Sequence, residues 1–461
     1  MTHFCPAYPK PRKSRASALM MFFGTRRSWM DTLYERSYSM HMGEVHLPGL
    51  DIYMVNDPSL VRRIMSEDAG EFPKTPQLHE ALRPLLGESI FTTNGEQWQR
   101  QRQMMDPAFA QARLNVAFPV MRAATDALME RLSRLPDAAQ HDVEVEMTHV
   151  TADVIFRTIF SKPLEGEDAQ SIFRAFAKYQ AMAPRLILPA AFGVRWLVMP
   201  WDRWRSRRAA GEIRSRLEDL VRPRYEAFRA GAPHPSVDIL AAFLDARDPA
   251  TNEPFGFDEL VDQVAMLFLA GHETSASALT WASYLLAHSP EIQDRMNAEV
   301  KDVLGDRTPA ASDMKQLTLT WNVFKEALRL FPPVGFIARE ATRACPMRDK
   351  HVPRGATVVV APWLIHRHRA LWNSPDVFDP DRYADDGSRE SLRQAYLPFG
   401  MGPRVCMGAA FALQEAALIL STLVRRYRIE PVPGHVPMPV GRLTIRSANG
   451  LPLILRRRSN A

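Results

Sequence analysis

The most informative residues for chemistry surround a single cysteine near the C-terminus. Cys406 follows Phe399-Gly400-Met401-Gly402-Pro403-Arg404-Val405, whose two glycines let the backbone turn tightly and approach a flat ligand. From Met407 to Leu420 the chain is rich in Ala, Leu, Gln and Glu, which predicts a helix. Cys406 therefore sits at a helix N-terminus, where free N–H groups and the helix dipole favour a thiolate. A lone thiolate of this kind suits iron as an axial ligand, and a buried structural cysteine is the alternative.

A glycine within a long helical pattern marks a second candidate site. Ala270-Gly271-His272-Glu273-Thr274 lies midway along a run of about thirty residues without proline that begins near Phe257. Glycine in a helix interior costs about 1 kcal/mol against alanine, so Gly271 needs a reason. One reason is close packing of two helices, and the other is a local opening that makes a pocket for dioxygen and water. His272 is expected to be a packing or surface residue rather than a metal ligand.

Two pairs at helical spacing could serve either structure or ligand binding. Glu326 and Arg329 share one helix face at i, i+3 and can pair, although a solvated helix pair is the usual explanation. Trp98 and Arg102 lie at i, i+4 on a helix that Asn94 could cap, so both can face one point.

Together these segments resemble the cytochrome P450 family, in its soluble bacterial type. The cysteine loop matches F-x-x-G-x-R-x-C-x-G with an added glycine, and the helical turn matches A-G-x-E-T. The two pairs match E-x-x-R and W-x-x-x-R. The order of these motifs also matches, so the resemblance covers nearly everything from about residue 40 to the C-terminus.

The resemblance implies that Cys406 is the metal ligand of one haem b. Phe399, Gly400 and Gly408 would belong to the loop that holds the haem. Its propionates would be held by cationic or N–H donors, which the family places at Trp98, Arg102, Arg339 and Arg404.

The resemblance also implies the catalytic and structural roles of the two remaining motifs. Thr274 would donate a hydrogen bond to dioxygen, Glu273 would relay protons inward, and Gly271 would open the turn. Arg382, from Asp379-Pro380-Asp381-Arg382-Tyr383, would join Glu326 and Arg329 in a triad that locks the segment before the cysteine loop. One member cannot be removed from a buried triad without leaving a charge unpaired.

The elements that must position these residues are mostly helices. A second helix is predicted from about Met314 to Phe331, where Pro332-Pro333 ends it. Short strands flank Pro48-Gly49 and Asn449-Gly450, and they predict hairpins of Glu44–Leu47 with Asp51–Val55 and of Leu443–Arg446 with Leu453–Arg456. The fold class is therefore mainly α, the cytochrome P450 fold with a long central helix and a small β region. Residues 1–40 would be an N-terminal extension and 41–461 a single domain.

Composition narrows the class of protein further. The 461 residues are 46% hydrophobic and 24% charged, which is ordinary for a globular protein. No apolar run reaches about eighteen residues and no signal peptide is recognisable, so no transmembrane anchor and a cytoplasmic location are expected. Three scattered cysteines exclude a disulfide framework. The net charge of +6 suggests an acidic partner, but no nucleic-acid motif is present.

The expected reaction is insertion of one oxygen atom from dioxygen into a small apolar organic substrate, a hydroxylation. The chain lacks a dinucleotide motif and a cysteine cluster, so electrons would come from a ferredoxin with its reductase or from a flavoprotein. The alternatives are a peroxide-driven haem-thiolate enzyme and a non-catalytic haem gas sensor, and Glu273 with Thr274 argues against both. We expect a monomer.

Substrate and redox-partner surfaces are also predicted. The resemblance places substrate contacts in residues 74–93 and 170–216, and the apolar Phe268, Leu269 and Ala270 on the long helix are expected to face substrate as well. The apolar stretch 186–201 is either a core helix or a hydrophobic entrance for lipid-like substrates that touches a membrane surface. Arg100, about 200° from Arg102 around the helix, and Arg393 would dock an acidic ferredoxin.

Overall fold

A computed structural model describes residues 4–13, 28–47, 49–165, 170–176, 178–179 and 200–458. Helices dominate this part of the chain, which confirms the mainly α prediction. The α-helices are α1 Pro58–Arg62, α2 Pro76–Leu86, α3 Gly95–Met105, α4 Gln111–Ser133, α5 Val143–Phe160, α6 Pro200–Arg229, α7 Ile239–Asp245, α8 Phe257–Ala287, α9 Pro290–Leu304, α10 Thr318–Leu330, α11 Pro362–Ile365, α12 Arg389–Ala395 and α13 Ala409–Arg426.

Shorter turns of helix connect several of these elements. One π-helical turn, Arg63–Glu67, continues directly from α1. The 3-10 turns are Trp29–Thr32, Glu35–Tyr38, Asp106–Phe109, Asp313–Gln316, Pro380–Tyr383, Asp386–Ser388 and Gly402–Arg404.

The long helix α8 runs between two hydrophobic clusters and so fixes the centre of the fold. Acidic Asp258 and Glu259 lie in its first turn, where the helix dipole favours negative charge. Its first half, including Val264 and Phe268, packs with α5 in what we call the second core cluster. Its last two turns, including Trp281, pack with α13 in the first core cluster. The turn around Gly271 therefore lies where the two clusters meet.

Two predicted helix boundaries differ from the structure. α10 begins at Thr318 rather than near Met314, because a separate 3-10 turn, Asp313–Gln316, precedes it. α13 begins at Ala409, with Gly408 at its N-cap position, and not at Met407. Both differences lie in the first turn, where backbone hydrogen bonding is least regular.

The strands form small sheets at the edges of the helical body. They are β1 Met42–Leu47, β2 Leu50–Val55, β3 Ala139–Asp142, β4 Ile337–Glu340, β5 Cys345–Met347, β6 Lys350–Val352, β7 Thr357–Val360, β8 Tyr427–Pro431, β9 Pro439–Gly441, β10 Ile445–Ser447 and β11 Pro452–Arg457. In the described part of the chain the sheets have the strand orders β1-β2-β7-β4, β3-β11-β8, β9-β10 and β5-β6.

The N-terminal hairpin is confirmed, whereas the C-terminal one is wrong. β1 and β2 pair antiparallel with Leu47 opposite Leu50. The chain does turn at Gly450, where φ is 74°, but β10 pairs with β9 and β11 pairs with β3 and β8. Buried Leu453 and Leu455 join β11 to the first core cluster, and this burial decides its partners.

Residues near the N-terminus pack on the same core. Trp29, Met30, Leu33 and Tyr38 are buried in the first core cluster, although they precede the domain boundary that we predicted at residue 40. That boundary stays a prediction, and these contacts do not favour it. In the described part of the chain, no helix is both long and apolar enough to cross a bilayer.

Candidate active site

The cysteine loop closes on itself through the backbone. The N–H of Cys406 donates to the carbonyl of Phe399 at 3.0 Å, and Gly400 and Gly402 have φ values of 73° and 69°. A Cβ at Gly402 would lie 2.2 Å from the carbonyl oxygen of Met65. Gly402 is therefore required because the loop passes close to the backbone of Met65. From the sequence alone, this glycine is attributed to the close approach of a flat ligand.

Cys406 is an exposed residue, although protein atoms surround its thiol on most sides. Burial raises the pKa of this thiol, while the N–H of Gly408 and the charge of Arg102 lower it. Phe399 borders the first core cluster and Met407 borders the second, so the thiol lies where the two clusters meet. Within the described residues no group of three or more His, Cys, Asp or Glu could hold a metal, so Cys406 stands as a single sulfur donor. This donor chemistry fits haem iron.

Helix α3 brings Trp98 and Arg102 to the cysteine loop, as their spacing predicted. The Arg404 guanidinium lies 4.9 Å from the Trp98 ring centroid, and Arg102 donates to the carbonyl of Val405 at 2.8 Å. The predicted cap is wrong in detail. Asn94 occupies the N-cap position, but its side chain binds the backbone N–H and carbonyl of Lys74 instead of the helix.

Three cations lie close together beside this loop: Arg339 is buried, and Lys74 and Arg404 are half-buried. Arg339 donates to the carbonyl of Ala338, and Lys74 donates to the carbonyls of Ile90 and Thr93. Burial, and then the charge of Arg404, lower the pKa of Arg339 to about 10. Burial, and then Arg339 and Arg404, hold the pKa of Lys74 well below its ordinary value.

These cations fit an anionic ligand. Within the described residues, no carboxylate forms an ion pair with Lys74, Arg339 or Arg404, and the Nε of Arg404 is buried without a hydrogen-bond partner. Burying charge without a counterion is costly, so carboxylates from a bound group are the expected partners. Haem propionates meet this requirement. Sequence reasoning missed Lys74, because a lone lysine carries no motif.

The turn of α8 around Gly271 is where accessible surface interrupts a buried helix. From Leu260 to Ala287 every described residue is buried except Ala270, Gly271 and Thr274, which share one face. Ala270 also borders the second core cluster, as Met407 does. Ser275, which follows Thr274, donates a hydrogen bond to Glu415 on α13, the helix that follows the cysteine loop. Phe268, in contrast, is fully buried against Phe156 and Phe176 and does not face open space, contrary to the prediction.

Gly271 has a packing reason. A Cβ at Gly271 would lie 2.9 Å from Ile155 on α5, and α8 is α-helical throughout. The Thr274 hydroxyl donates to the carbonyl of Ala270 at 2.7 Å. Of the two explanations that the sequence left open, close packing of two helices is the one with a direct contact. A catalytic role for Gly271 stays a prediction.

Glu273 is turned toward the C-terminal strands. Its carboxylate accepts from both Nε and Nη2 of Arg446, at 3.1 and 2.6 Å, and from the hydroxyl of Thr444 at 2.6 Å. Burial alone would raise the pKa of Glu273, but the Arg446 charge outweighs it and holds the pKa below its ordinary value. The structure thus places the Glu273 carboxylate against Arg446, while the Thr274 hydroxyl bonds within its own helix.

The predicted ion-pair triad forms in the buried interior. Arg329 binds Glu326 through two hydrogen bonds of 2.7 and 2.8 Å, and the Nε of Arg382 lies 3.4 Å from Glu326. The two arginines also donate to five backbone carbonyls between His366 and Val377.

His366 joins this triad to the start of the cysteine loop, and sequence reasoning missed it. Its Nδ1 lies 3.2 Å from the carbonyl of Arg329, and its Nε2 accepts from the N–H of Leu397 at 3.0 Å. Burial, and then the charge of Arg329, lower the pKa of His366 to about 3, so the ring is neutral. A neutral ring that donates on one side and accepts on the other links α10 to the segment ahead of Phe399.

The two arginines predicted to dock a ferredoxin both have carboxylate partners. Arg100 pairs with Asp248 at 2.6 Å and with Glu259 at 2.7 Å, and Arg393 pairs with Glu390. Neither offers an unbalanced charge. Of the predicted apolar entrance 186–201, residues 186–199 lie outside the described residues.

Comparisons with known proteins agree with this site. The family model for cytochrome P450 matches residues 21–449. Two proteins of Streptomyces melanosporofaciens are similar: cyclooctatin synthase is 33% identical over 395 residues, and cyclooctat-9-en-7-ol 5-monooxygenase is 31% identical over 402 residues. Each alignment covers 85% of this chain and 83% of the relative. Pentalenene oxygenase of Streptomyces avermitilis is 30% identical over 408 residues, with 88% of both chains covered.

A solved structure is similar over almost the whole fold. The haem domain of cytochrome P450DA superposes with a TM-score of 0.79 at 25% identity, covering 91% of this chain and 90% of that one. The fold is therefore the cytochrome P450 fold, and the cofactor is haem. The chain belongs to the cytochrome P450 family and is a haem-thiolate monooxygenase that uses dioxygen, an organic substrate and a redox partner.

Proposed function

We propose that this enzyme hydroxylates a small apolar ring compound, an unsaturated hydrocarbon or alcohol, with electrons from a ferredoxin. The observation that carries the proposal is the accessible face of Ala270, Gly271 and Thr274 on an otherwise buried helix. This face offers one hydroxyl and little other polarity, which suits a substrate with few hydrogen-bonding groups. The names of two relatives support the substrate class, since one refers to cyclooctat-9-en-7-ol and the other to pentalenene.

The haem would be held by two groups of residues. Cys406 would bind the iron as a thiolate, and Lys74, Arg339 and Arg404, with Trp98, would hold the propionates. Arg102 would contribute less, because it already pairs with Asp106 at 2.6 Å. When bound, the haem supplies the activation of dioxygen and the transfer of one oxygen atom to carbon. The triad of Glu326, Arg329 and Arg382 would act only through the backbone that it fixes.

Thr274 and Glu273 would manage protons. The Thr274 hydroxyl donates to Ala270, and its oxygen can still accept a hydrogen bond from water. Rotation about the C–O bond would redirect its proton into the open space. Glu273 is ionised and held by Arg446, so it would accept protons on the far side of the same turn. The two groups would then act in sequence, with water between them.

We keep a ferredoxin with its reductase as the proposed electron donor and a flavoprotein as the alternative, because the chain has no dinucleotide motif and no cysteine cluster of its own. Since Arg100 and Arg393 are neutralised by carboxylates, we no longer assign docking to them. A cytoplasmic location is also proposed, supported by three cysteines that are unpaired in the structure, and the oligomeric state that we propose is a monomer.

The test begins with the cysteine. Reduced, carbon-monoxide-bound protein should show the strongly red-shifted Soret band of a thiolate-bound haem, and Cys406→Ala should abolish it. Cys5→Ala and Cys345→Ala are matched controls that should keep the band. If the Cys5→Ala/Cys345→Ala double variant loses the band while Cys406→Ala keeps it, the assignment of Cys406 as the iron ligand is wrong.

The substrate class is tested separately. Cyclic alkenes and alkenols should shift the iron spin state at lower concentrations than linear fatty acids of equal carbon number. The opposite order would contradict the proposed substrate. Turnover with peroxide alone, but not with a ferredoxin system, would favour the peroxide-driven alternative.

A further inference from the structure

Arg446 lies between two carboxylates that belong to different helices. Its Nη2 and Nε bind Glu273 on α8, and its Nη1 lies 3.3 Å from a carboxylate oxygen of Glu144 on α5. The Nη1 also lies 3.2 Å from the hydroxyl of Thr148. One guanidinium, carried by β10, therefore ties the long helix to its main neighbour.

The two carboxylates differ in access to water. Glu273 and Arg446 are buried, whereas Glu144, in the first turn of α5, is only half-buried. The groups that face Glu144 are Arg446, Asp142, Glu273 and Arg442. Among the groups that face Glu273 are Arg446, Thr444 and His272. Glu144 is thus the carboxylate through which the pair meets solvent.

One cation cannot fully neutralise two carboxylates in a site of low polarity. Burial raises the pKa of Glu144 even though Arg446 attracts its ionised form, while the pKa of Glu273 is lowered. Uptake of a proton from water by Glu144 would leave the whole Arg446 charge to Glu273. When Glu144 loses that proton, the two carboxylates would compete for the positive charge of Arg446.

We propose that Arg446 is a positioning residue that fixes the charge and orientation of Glu273, and that Glu144 is the outer carboxylate that modulates this hold from solvent. The relevance to catalysis rests on the proton-handling role proposed above for Glu273. The positioning itself does not depend on that role.

The first experiment measures ionisation of Glu273 directly. Infrared titration of the haem-loaded enzyme between pH 4 and pH 9 would follow the C=O stretch of protonated carboxyls, assigned by its loss in Glu273→Gln. In wild type, this band should appear only at a lower pH than for an ordinary glutamate, because the pKa of Glu273 is lowered. In Arg446→Gln its pKa should rise, because the Arg446 charge then no longer opposes the effect of burial. The new band should vanish in Arg446→Gln/Glu273→Gln.

Three further variants make the result specific. Arg446→Lys should restore the ionised carboxylate. Arg442→Gln, which removes an exposed arginine near Glu144, is the matched control and should leave Glu273 as in wild type. Glu144→Gln should shift the Glu273 pKa in the direction opposite to Arg446→Gln, because the competing carboxylate is gone. If Arg446→Gln does not fold, the direction of the Glu273 pKa shift in Glu144→Gln still tests the proposal. No Glu273 band in Arg446→Gln, or shifts of the same sign in Arg446→Gln and Glu144→Gln, would overturn the proposal.

A second measurement separates positioning from catalysis. We expect Arg446→Gln to release a several-fold larger fraction of NADPH electrons as hydrogen peroxide, with an altered pH profile, when driven by a plant-type [2Fe–2S] ferredoxin and its reductase. Arg446→Lys should restore the wild-type fraction. If the infrared shifts occur while this fraction and its pH profile stay unchanged in every variant, the positioning holds and the proposed role of Glu273 fails.

Discussion

Glu415 should make the stability of this protein fall as pH rises through the neutral range. This side chain lies on α13, next to the long helix, and its carboxyl accepts a hydrogen bond of 2.8 Å from Ser275. Both residues are buried. Burial raises the pKa of Glu415 from 4.5 to about 8, and the Ser275 hydrogen bond lowers it by less. The folded protein therefore keeps a proton on Glu415 at pH 7 that the unfolded chain releases.

The size of the effect follows from this difference in proton binding. Since the folded-state pKa lies above the unfolded value, the stability from Glu415 is complete below pH 4.5 and is lost as pH rises to about 8. Each pH unit in this window corresponds to about 1.4 kcal/mol, so about 3 kcal/mol is lost by pH 7. Glu415→Gln removes the titration and keeps an oxygen that can accept from Ser275. The variant should match wild type near pH 4.5 and exceed its stability by about 3 kcal/mol at pH 7.

Urea unfolding of the haem-loaded enzyme at pH 5, 7 and 8.5, followed by tryptophan fluorescence, measures this difference. Glu226→Gln, which changes an exposed glutamate on α6, is the control and should track wild type. If Glu415→Gln and wild type give parallel pH curves, the Glu415 carboxyl is ionised in the fold and the reasoning fails.

Two further predictions concern the active site. Thr274→Ala should keep haem and substrate binding but divert several-fold more reducing equivalents into hydrogen peroxide, because proton delivery is disturbed; an unchanged ratio of product to NAD(P)H would contradict its role. Gly402→Ala should lower the free energy of unfolding by about 3 kcal/mol or more, since its Cβ would meet the Met65 carbonyl oxygen at 2.2 Å and its φ is positive. Gly70→Ala is the control, because a Cβ there would meet no heavy atom within 4 Å, and equal urea midpoints for the two variants would refute the steric argument.

The features that the sequence predicted well are set by residues only a few positions apart along the chain. Helix α8, its end before Pro290, and the hairpin at Gly49 follow from periodicity, proline positions and turn residues that act over a few positions. The E-x-x-R and W-x-x-x-R spacings likewise place two side chains on one helix face, which the structure shows.

What the sequence missed depends on partners that are distant along the chain. Asn94 binds Lys74 rather than its own helix, and Glu273 meets Arg446 across 173 positions. The strand β11 joins β3 rather than β10, because a buried face selects the pairing and the adjacent turn does not. A single sequence carries no local signal for such choices.

The contacts beneath the cysteine loop also bear on how this protein is assembled. Arg404 donates to the carbonyl of Ala69, 335 positions earlier, and Gly402 rests on the backbone of Met65 in the same N-terminal region. Contacts between such distant residues form slowly, since the intervening chain loses conformational freedom before they stabilise anything. During synthesis the cysteine loop emerges late, several hundred residues after the N-terminal segment on which it packs. Haem capture should therefore be a late step of biogenesis, and a nascent chain that ends before Cys406 has no finished site.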